Sequence, residues 1–146
     1  MKVSEAVTQV EGLPYMEVGG EVTLEEISDR IQDQRQVRGI YVVDDDRRLI
    51  GAVSLGVLIR HLTAARRQPL FHVRSLLSRL TSTNVVDLME RNVVYAREDE
   101  ELDRVLDRMI RRNIKEIPVV DEERRIKAVL SLLDLWRLVG PEGSDQ

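Results

Sequence analysis

The stretch "DEERRIKAVLSLLDLW", residues 121–136, has a near-copy earlier in the same chain, "DDDRRLIGAVSLGVLI", residues 44–59. Both run acidic turn, Arg-Arg, apolar strand, Ser-Leu, helix. A shift of 77 lays Ile40–Leu62 on Ile117–Val139 with 10 of 23 positions identical, among them Asp44, Arg47, Arg48, Ser54 and Leu58. Upstream the shift becomes 78, and Leu24, Ile27 and Ile31 fall on Leu102, Val105 and Met109. A duplication of this length means two copies of one supersecondary unit.

Working outward, each copy has the same order of elements. In the second, "NVVYA" (92–96) is a β-branched strand. "EDEELDRVLDRMIRRN" then sets Leu102, Val105, Leu106, Met109 and Ile110 on one helical face. Acids in its first turn and arginines in its last complement the helix dipole. "EIPVV" (116–120) is a strand whose Pro118 is expected at an edge or an end. "DEERR" is a polar turn, "IKAVL" a strand and "LLDLWRLV" a helix. The first copy repeats this with "PYMEV", a helix opened by a Thr23–Glu26 capping box, "GIYVV", "DDDRR", "LIGAV" and "LGVLIRHL". The expected fold is α/β (α+β), built as two β-α-β-β-α units. Unit one covers 1–66, a linker with a helix striped by Leu70, Val73, Leu77 and Leu80 covers 67–83, unit two covers 84–140, and 141–146 is a disordered tail. A short helix, "NVVDLMER", leads into unit two.

Composition excludes several function classes. With 146 residues the chain has room for two small units and a core, and 42% of residues are hydrophobic. Aromatics are only 3% and the net charge is -4, against base stacking or phosphate-backbone binding, so no nucleic-acid partner is expected. Nineteen of the 22 basic residues are arginine, read as the base composition of the genome. The absence of cysteine removes disulfides, thiolate nucleophiles and cysteine zinc sites. His61 and His72 have no metal-ligand spacing. With no Cys nucleophile, no base with an orienter, no phosphate loop and no paired carboxylates, an enzyme is not expected. No apolar run approaches the roughly 20 residues of a membrane span, and no secretory h-region is present. A cytoplasmic protein without membrane insertion is expected.

Two β-α-β-β-α units with "DLM", an acidic helix start, "IPVVDE" and a strand ending in Ser-x-x-Asp resemble a CBS domain repeated twice. The chain thus resembles a tandem CBS pair, or Bateman module, over residues 3–62 and 84–139. The resemblance implies two units packed with pseudo-twofold symmetry, clefts that take adenine nucleotides or adenosyl ligands, and assembly as a homodimer. Carried over, Ser131 would meet phosphate or ribose and Asp134 the ribose hydroxyls. The base would lie near Asn92, Val93, Ile117 and Pro118. Lys115 would reach the phosphates, with Arg91 a weaker candidate. AMP, ADP, ATP or S-adenosylmethionine would act as regulatory ligands for an unknown effector, an enzyme or transporter, and no cofactor would be required.

The residues support this chemistry independently. Ser131 opens a helix, where free N–H groups favour an anion. An ionised carboxylate three residues on can accept from a diol. The same pair also reads as a capping box, to which the shorter Asp is less suited than Glu. Val57 stands where the second copy has Asp134, so the first cleft is expected to be degenerate. Ala128 stands where the first copy has Gly51, and its methyl is expected to crowd a close backbone approach. Two other readings stay open: a ligand-independent dimerising module using terminal helices with Trp136 and Leu133, and a Mg²⁺ sensor using "EDEE" (98–101) or "DDD" (44–46). Trp136 is expected in the core or at an oligomer contact.

Overall fold

The computed structural model describes residues 1–34, 37–66 and 83–140. The expected helix at 70–80, His72 and the tail at 141–146 lie outside these residues. The described chain forms α1 (Val3–Gln9), β1 (Tyr15–Gly19), α2 (Leu24–Asp33), β2 (Gly39–Val43), β3 (Leu49–Val53), α3 (Leu55–Arg66), a 3₁₀ turn (Val85–Asp87), β4 (Ala96–Arg97), α4 (Leu102–Arg112), β5 (Glu116–Val120), β6 (Ile126–Ser131) and α5 (Leu132–Val139). Both repeats fold as β-α-β-β-α. Each gives a three-stranded sheet, β1-β2-β3 or β4-β5-β6, with a parallel pair joined through a helix and an antiparallel pair joined by a turn.

The chain divides into two compact units, one of residues 15–93 and one of residues 1–14 with 94–146. These units do not follow the repeat boundaries at 66 and 84. Each repeat's lead-in belongs to the other repeat's unit. Residues 1–14 complete the second repeat: Val3 and Ala6 are fully buried with Leu102, Val105, Met109, Ile117, Leu130 and Leu135. Residues 83–93 complete the first: Val85 is fully buried with Met16, Leu24, Ile27, Ile40 and Val42. The signal for α1 was present in the spacing of Val3, Ala6, Val7 and Val10, one helical stripe.

The strand edges explain this exchange. Val129 of β6 accepts from Leu13 N–H at 2.9 Å, and its counterpart Ala52 of β3 exchanges two bonds with Glu90, at 3.0 and 2.7 Å. Each lead-in thus covers an otherwise open sheet edge.

The two turns are copies at atomic detail. Asp44 Oδ1 accepts from the N–H groups of Asp46 and Arg48, both at 2.9 Å. Asp121 Oδ1 accepts from those of Glu123 and Arg125, at 2.8 and 3.0 Å. Arg47 and Arg124 both take φ 65°, and both hairpins carry an irregularity at the matching place, between Val42 and Val43 and between Val119 and Val120. The repeated acid-x-x-Arg-Arg pattern therefore encodes a side-chain-closed turn.

Three expectations are corrected. "NVVYA" contributes only Ala96 to a strand, since β4 is Ala96–Arg97. Pro118 lies in the central strand, not at an edge or end. It is accommodated because β4 pairs only with Val119 and Val120, leaving β5 without a strand neighbour on that side at Pro118. In the first repeat Tyr41 holds that place, and β1 pairs along all five residues of β2. Finally, Ile110 turns away from the core and is 64% exposed, while Leu102, Val105 and Met109 are buried as the stripe requires. Left-handed Asn113, with φ 53°, ends α4.

Candidate functional site

The step from β6 into α5 is held by a reciprocal pair of hydrogen bonds. Ser131 Oγ accepts from Asp134 N–H at 3.0 Å, and Asp134 Oδ2 accepts from Ser131 N–H at 3.1 Å. Asp134 therefore does make the reach-back that its short side chain was expected to make poorly. It is 8% exposed, the one buried charged side chain among the described residues. The cap leaves capacity unused. Ser131 Oγ accepts one bond and keeps its own proton to donate, and among the described residues Asp134 Oδ1 has no partner. Nor is Oδ1 sealed in, because the one buried side-chain polar atom without a partner among those residues is Nε2 of His61.

Strand register gathers most of the other candidates at this end of the sheet. Glu116 lies opposite Ser131, Ile117 opposite Leu130 and Pro118 opposite Val129. The Lys115 carbonyl accepts from Leu132 N–H at 2.9 Å, fixing the start of β5 beside the start of α5. Lys115 itself is exposed, whereas Ile117 and Pro118 are buried. Asn92 and Val93, with Arg91, belong to the other compact unit, residues 15–93. There Asn92 N–H donates to Glu90 Oε1 at 3.2 Å.

The twin step in the first repeat keeps the cap and loses the carboxylate. Ser54 Oγ accepts from Val57 N–H at 3.1 Å. Ser54 and Ser131 are thus shared for capping, and Asp134 alone adds an acceptor. Gly51 and Ala128 also have a packing account that sequence reasoning missed. A Cβ on Gly51 would meet Met89 Sδ at 2.5 Å and Glu90 O at 3.1 Å. The residue that corresponds to Met89 in the other lead-in is Gly12. Methionine faces glycine in one unit, and the other carries glycine and alanine at the matching places. Ala128 is half-buried where Gly51 is buried.

A cavity of about 610 Å³ lies elsewhere. It is lined by Ser4, Arg97, Glu98, Asp99, Asp121, Glu122, Glu123 and Lys127, at the turn end of the strands. None of the residues expected to hold a nucleotide lines it, although Glu98 and Asp99 of the acidic run 98–101 do. Its chemistry favours internal pairing: Lys127 lies 3.8 Å from Asp121, whose carboxyl sits below the usual range because the N–H groups of Arg125 and Glu123 donate to it. The Ser131–Asp134 step, by contrast, keeps an unused donor and an unused acceptor.

The acidic runs are engaged in local structure. Arg108 donates to Glu100 Oε1 at 2.5 Å and to Oε2 at 3.2 Å, and Lys2 lies 3.0 Å from Glu101. Among the described residues no group of three or more carboxylates or histidines is placed to hold a metal ion. None of the helices formed by those residues is long and apolar enough to cross a membrane.

Residues 10–64 and 85–135 each match the CBS domain. The chain belongs to the CBS domain family. It is a tandem CBS pair, and solved structures agree. A CBS domain-containing protein from Thermotoga maritima is 30% identical, with a TM-score of 0.67, over 95% of this chain and 94% of that one. The cytosolic domain of the Mg²⁺ channel MgtE, in complex with ATP, is 26% identical, with a TM-score of 0.68, over 92% of this chain and 52% of that one. A CBS domain pair in complex with 5'-methylthioadenosine and S-adenosyl-L-methionine is 22% identical, with a TM-score of 0.67, over 96% and 100% of the two chains, and shares the fold. The chain spans 19% of the length of each of two curated relatives that it matches at 24% and 26% identity.

Proposed function

We propose that this CBS pair is a cytoplasmic regulatory module that binds an adenine nucleotide or adenosyl ligand at the Ser131–Asp134 step and thereby modulates an enzyme or transporter. The observation that carries the reading is the unused pair on a capped helix start: the Ser131 hydroxyl proton and Asp134 Oδ1. A ribose hydroxyl can donate to Oδ1 while the cap stays closed, and a phosphate or ribose oxygen can accept from Ser131. Lys115 supplies positive charge at the same end of the sheet, and Ile117 and Pro118 are assigned to the base. The ligands of the ATP-bound and S-adenosylmethionine-bound relatives support this class. The partner responds through a difference in ligand affinity between two arrangements of the module.

Calorimetric titration with AMP, ADP, ATP and S-adenosylmethionine tests the proposal. Binding by at least one is expected, with a raised Tm. No heat and no Tm shift for any of the four overturns it.

One observation favours a second reading, a ligand-independent dimerising module. Trp136, Leu133 and Val139 on α5 are 64%, 57% and 44% exposed, so the core role is excluded for Trp136 and an apolar helix face stands open. A homodimer through this face predicts that Trp136→Glu yields a monomer in analytical ultracentrifugation. A wild-type chain that is already monomeric at high concentration removes this reading.

A further inference from the structure

We infer that residues 1–14 form a strap whose docking is coupled to occupancy of the Ser131–Asp134 step, an inference that rests on the ligand reading above. The strap is fastened at both ends within its own unit. Near its start, Val3 N–H donates to Glu100 O at 2.9 Å and Ser4 N–H to Glu98 O at 3.0 Å. Near its end, Leu13 N–H donates to Val129 O at 2.9 Å. Between these points α1 packs on α5, with Val3 and Ala6 fully buried in the same cluster as Leu130 and Leu135. Those two leucines flank the candidate ligand pair in sequence. Val129, which holds the strap's end, lies two residues before Ser131.

Alone, α1 could not stay folded. It has seven residues and no side-chain N-cap, too little to offset helix nucleation. Its order therefore depends on the surface that β6 and α5 present. A ligand that accepts from Ser131 Oγ and donates to Asp134 Oδ1 fastens the start of α5 from outside, with both capping bonds intact. Local opening of α5 becomes rarer, and the strap, which rests on α5, opens less often with it. Linkage makes the coupling reciprocal, so a loosened strap must weaken the ligand. The other lead-in serves as an internal control. Its step ends in Val57, which offers no acceptor, while Val85 N–H donates to Val22 O at 2.8 Å and Glu90 N–H to Ala52 O at 2.7 Å.

Amide exchange on the full chain, read by NMR with and without saturating ATP or S-adenosylmethionine, tests the strap. Bound ligand should slow exchange at Val3, Ser4 and Leu13 by about tenfold, with Val85 unchanged. Val3→Ala, or the milder Val7→Ala, lies away from the ligand step and should speed strap exchange and weaken binding several-fold. If a ligand binds by calorimetry but slows Val3, Ser4 and Leu13 no more than Val119 and Val120, the strap is overturned and the ligand reading stands. Faster strap exchange in both variants with unchanged affinity has the same meaning. No heat with any nucleotide overturns both.

Discussion

The sulfur of Met89 lies 2.5 Å from where residue 51 would carry a Cβ, so Gly51 is a packing glycine. Gly51→Ala should force a shift of Met89 or of the Glu90 backbone, destabilising the chain by about 1–3 kcal/mol. Met89→Ala should restore part of that loss, because it removes the atom in the way. Denaturant unfolding of the two single variants and the double variant gives the coupling. Additive effects would mean that the methyl finds other room. Ala128→Gly is the comparison in the other unit, and should cost only about 0.5–1 kcal/mol, as glycine does in a strand.

Asp134 serves the fold and, on the proposed reading, the ligand, and two substitutions separate these roles. Asp134→Ala removes the bond to Ser131 N–H and should cost roughly 1 kcal/mol of stability along with ligand binding. Asp134→Asn keeps a carbonyl oxygen for that N–H, so stability should stay within about 0.5 kcal/mol. Its amide nitrogen cannot accept from a ribose hydroxyl, so binding should fall at least tenfold. Val57→Ala should leave affinity unchanged. If Asp134→Asn bound the nucleotide as tightly as the parent, Asp134 would be a capping residue only.

The repeat in "DEERRIKAVLSLLDLW" was enough to read the β-α-β-β-α order twice, because strand and helix periods, acidic turns and the Ser cap are local signals. What escaped is non-local. The lead-ins cross to the other repeat's unit because a bare sheet edge and an unfilled core decide where they pack, and neither is visible in their own residues. The complementary places of Gly51 and Met89, and of Ala128 and Gly12, are likewise legible only once the edge contacts are known. At the site, Ser131 and Asp134 stood out by comparing the repeats. That comparison set cap against ligand, whereas the geometry leaves room for both, since each group makes one capping bond and keeps one partner's worth of capacity.

Arg47 and Arg124 hold the same left-handed backbone, and each puts its side chain to a different use. Arg47 pairs with Glu17 at 3.1 Å, and Arg124 lies 5.4 Å from the ring centre of Tyr95, the residue at the place of Glu17. Replacing either arginine with alanine removes the side-chain contact and keeps the strain of a left-handed residue. Glycine removes both. The glycine variant should therefore exceed the alanine variant in stability by about 1 kcal/mol at both sites, the reverse of the order in helices. Equal Tm values for the Gly and Ala variants would show that the φ of 65° carries no cost.

Acid should weaken the 94–140 region as Glu100 and Asp121 take up protons. Glu100 lies below the usual carboxylate range, chiefly because Arg108 hydrogen-bonds to it, with Arg97 N–H adding a 2.8 Å bond. Asp121 is lowered too, chiefly by the Arg125 N–H. A carboxyl whose folded pKa is depressed contributes stability above its unfolded value, and that contribution is lost as pH falls through the folded value. The loss therefore begins below the ordinary glutamate value of 4.5 and continues toward lower pH. Urea midpoints at pH 7, 4 and 3 should fall steadily for the parent chain. Glu100→Gln should start lower at pH 7 and fall less between pH 4 and 3, because the group that titrates is gone while its amide still offers Arg108 an oxygen. Parallel curves for parent and variant would place the acid sensitivity elsewhere. The bond from Arg108 to the Tyr95 carbonyl, at 2.9 Å, does not titrate and should hold α4 to the entry of β4 in both.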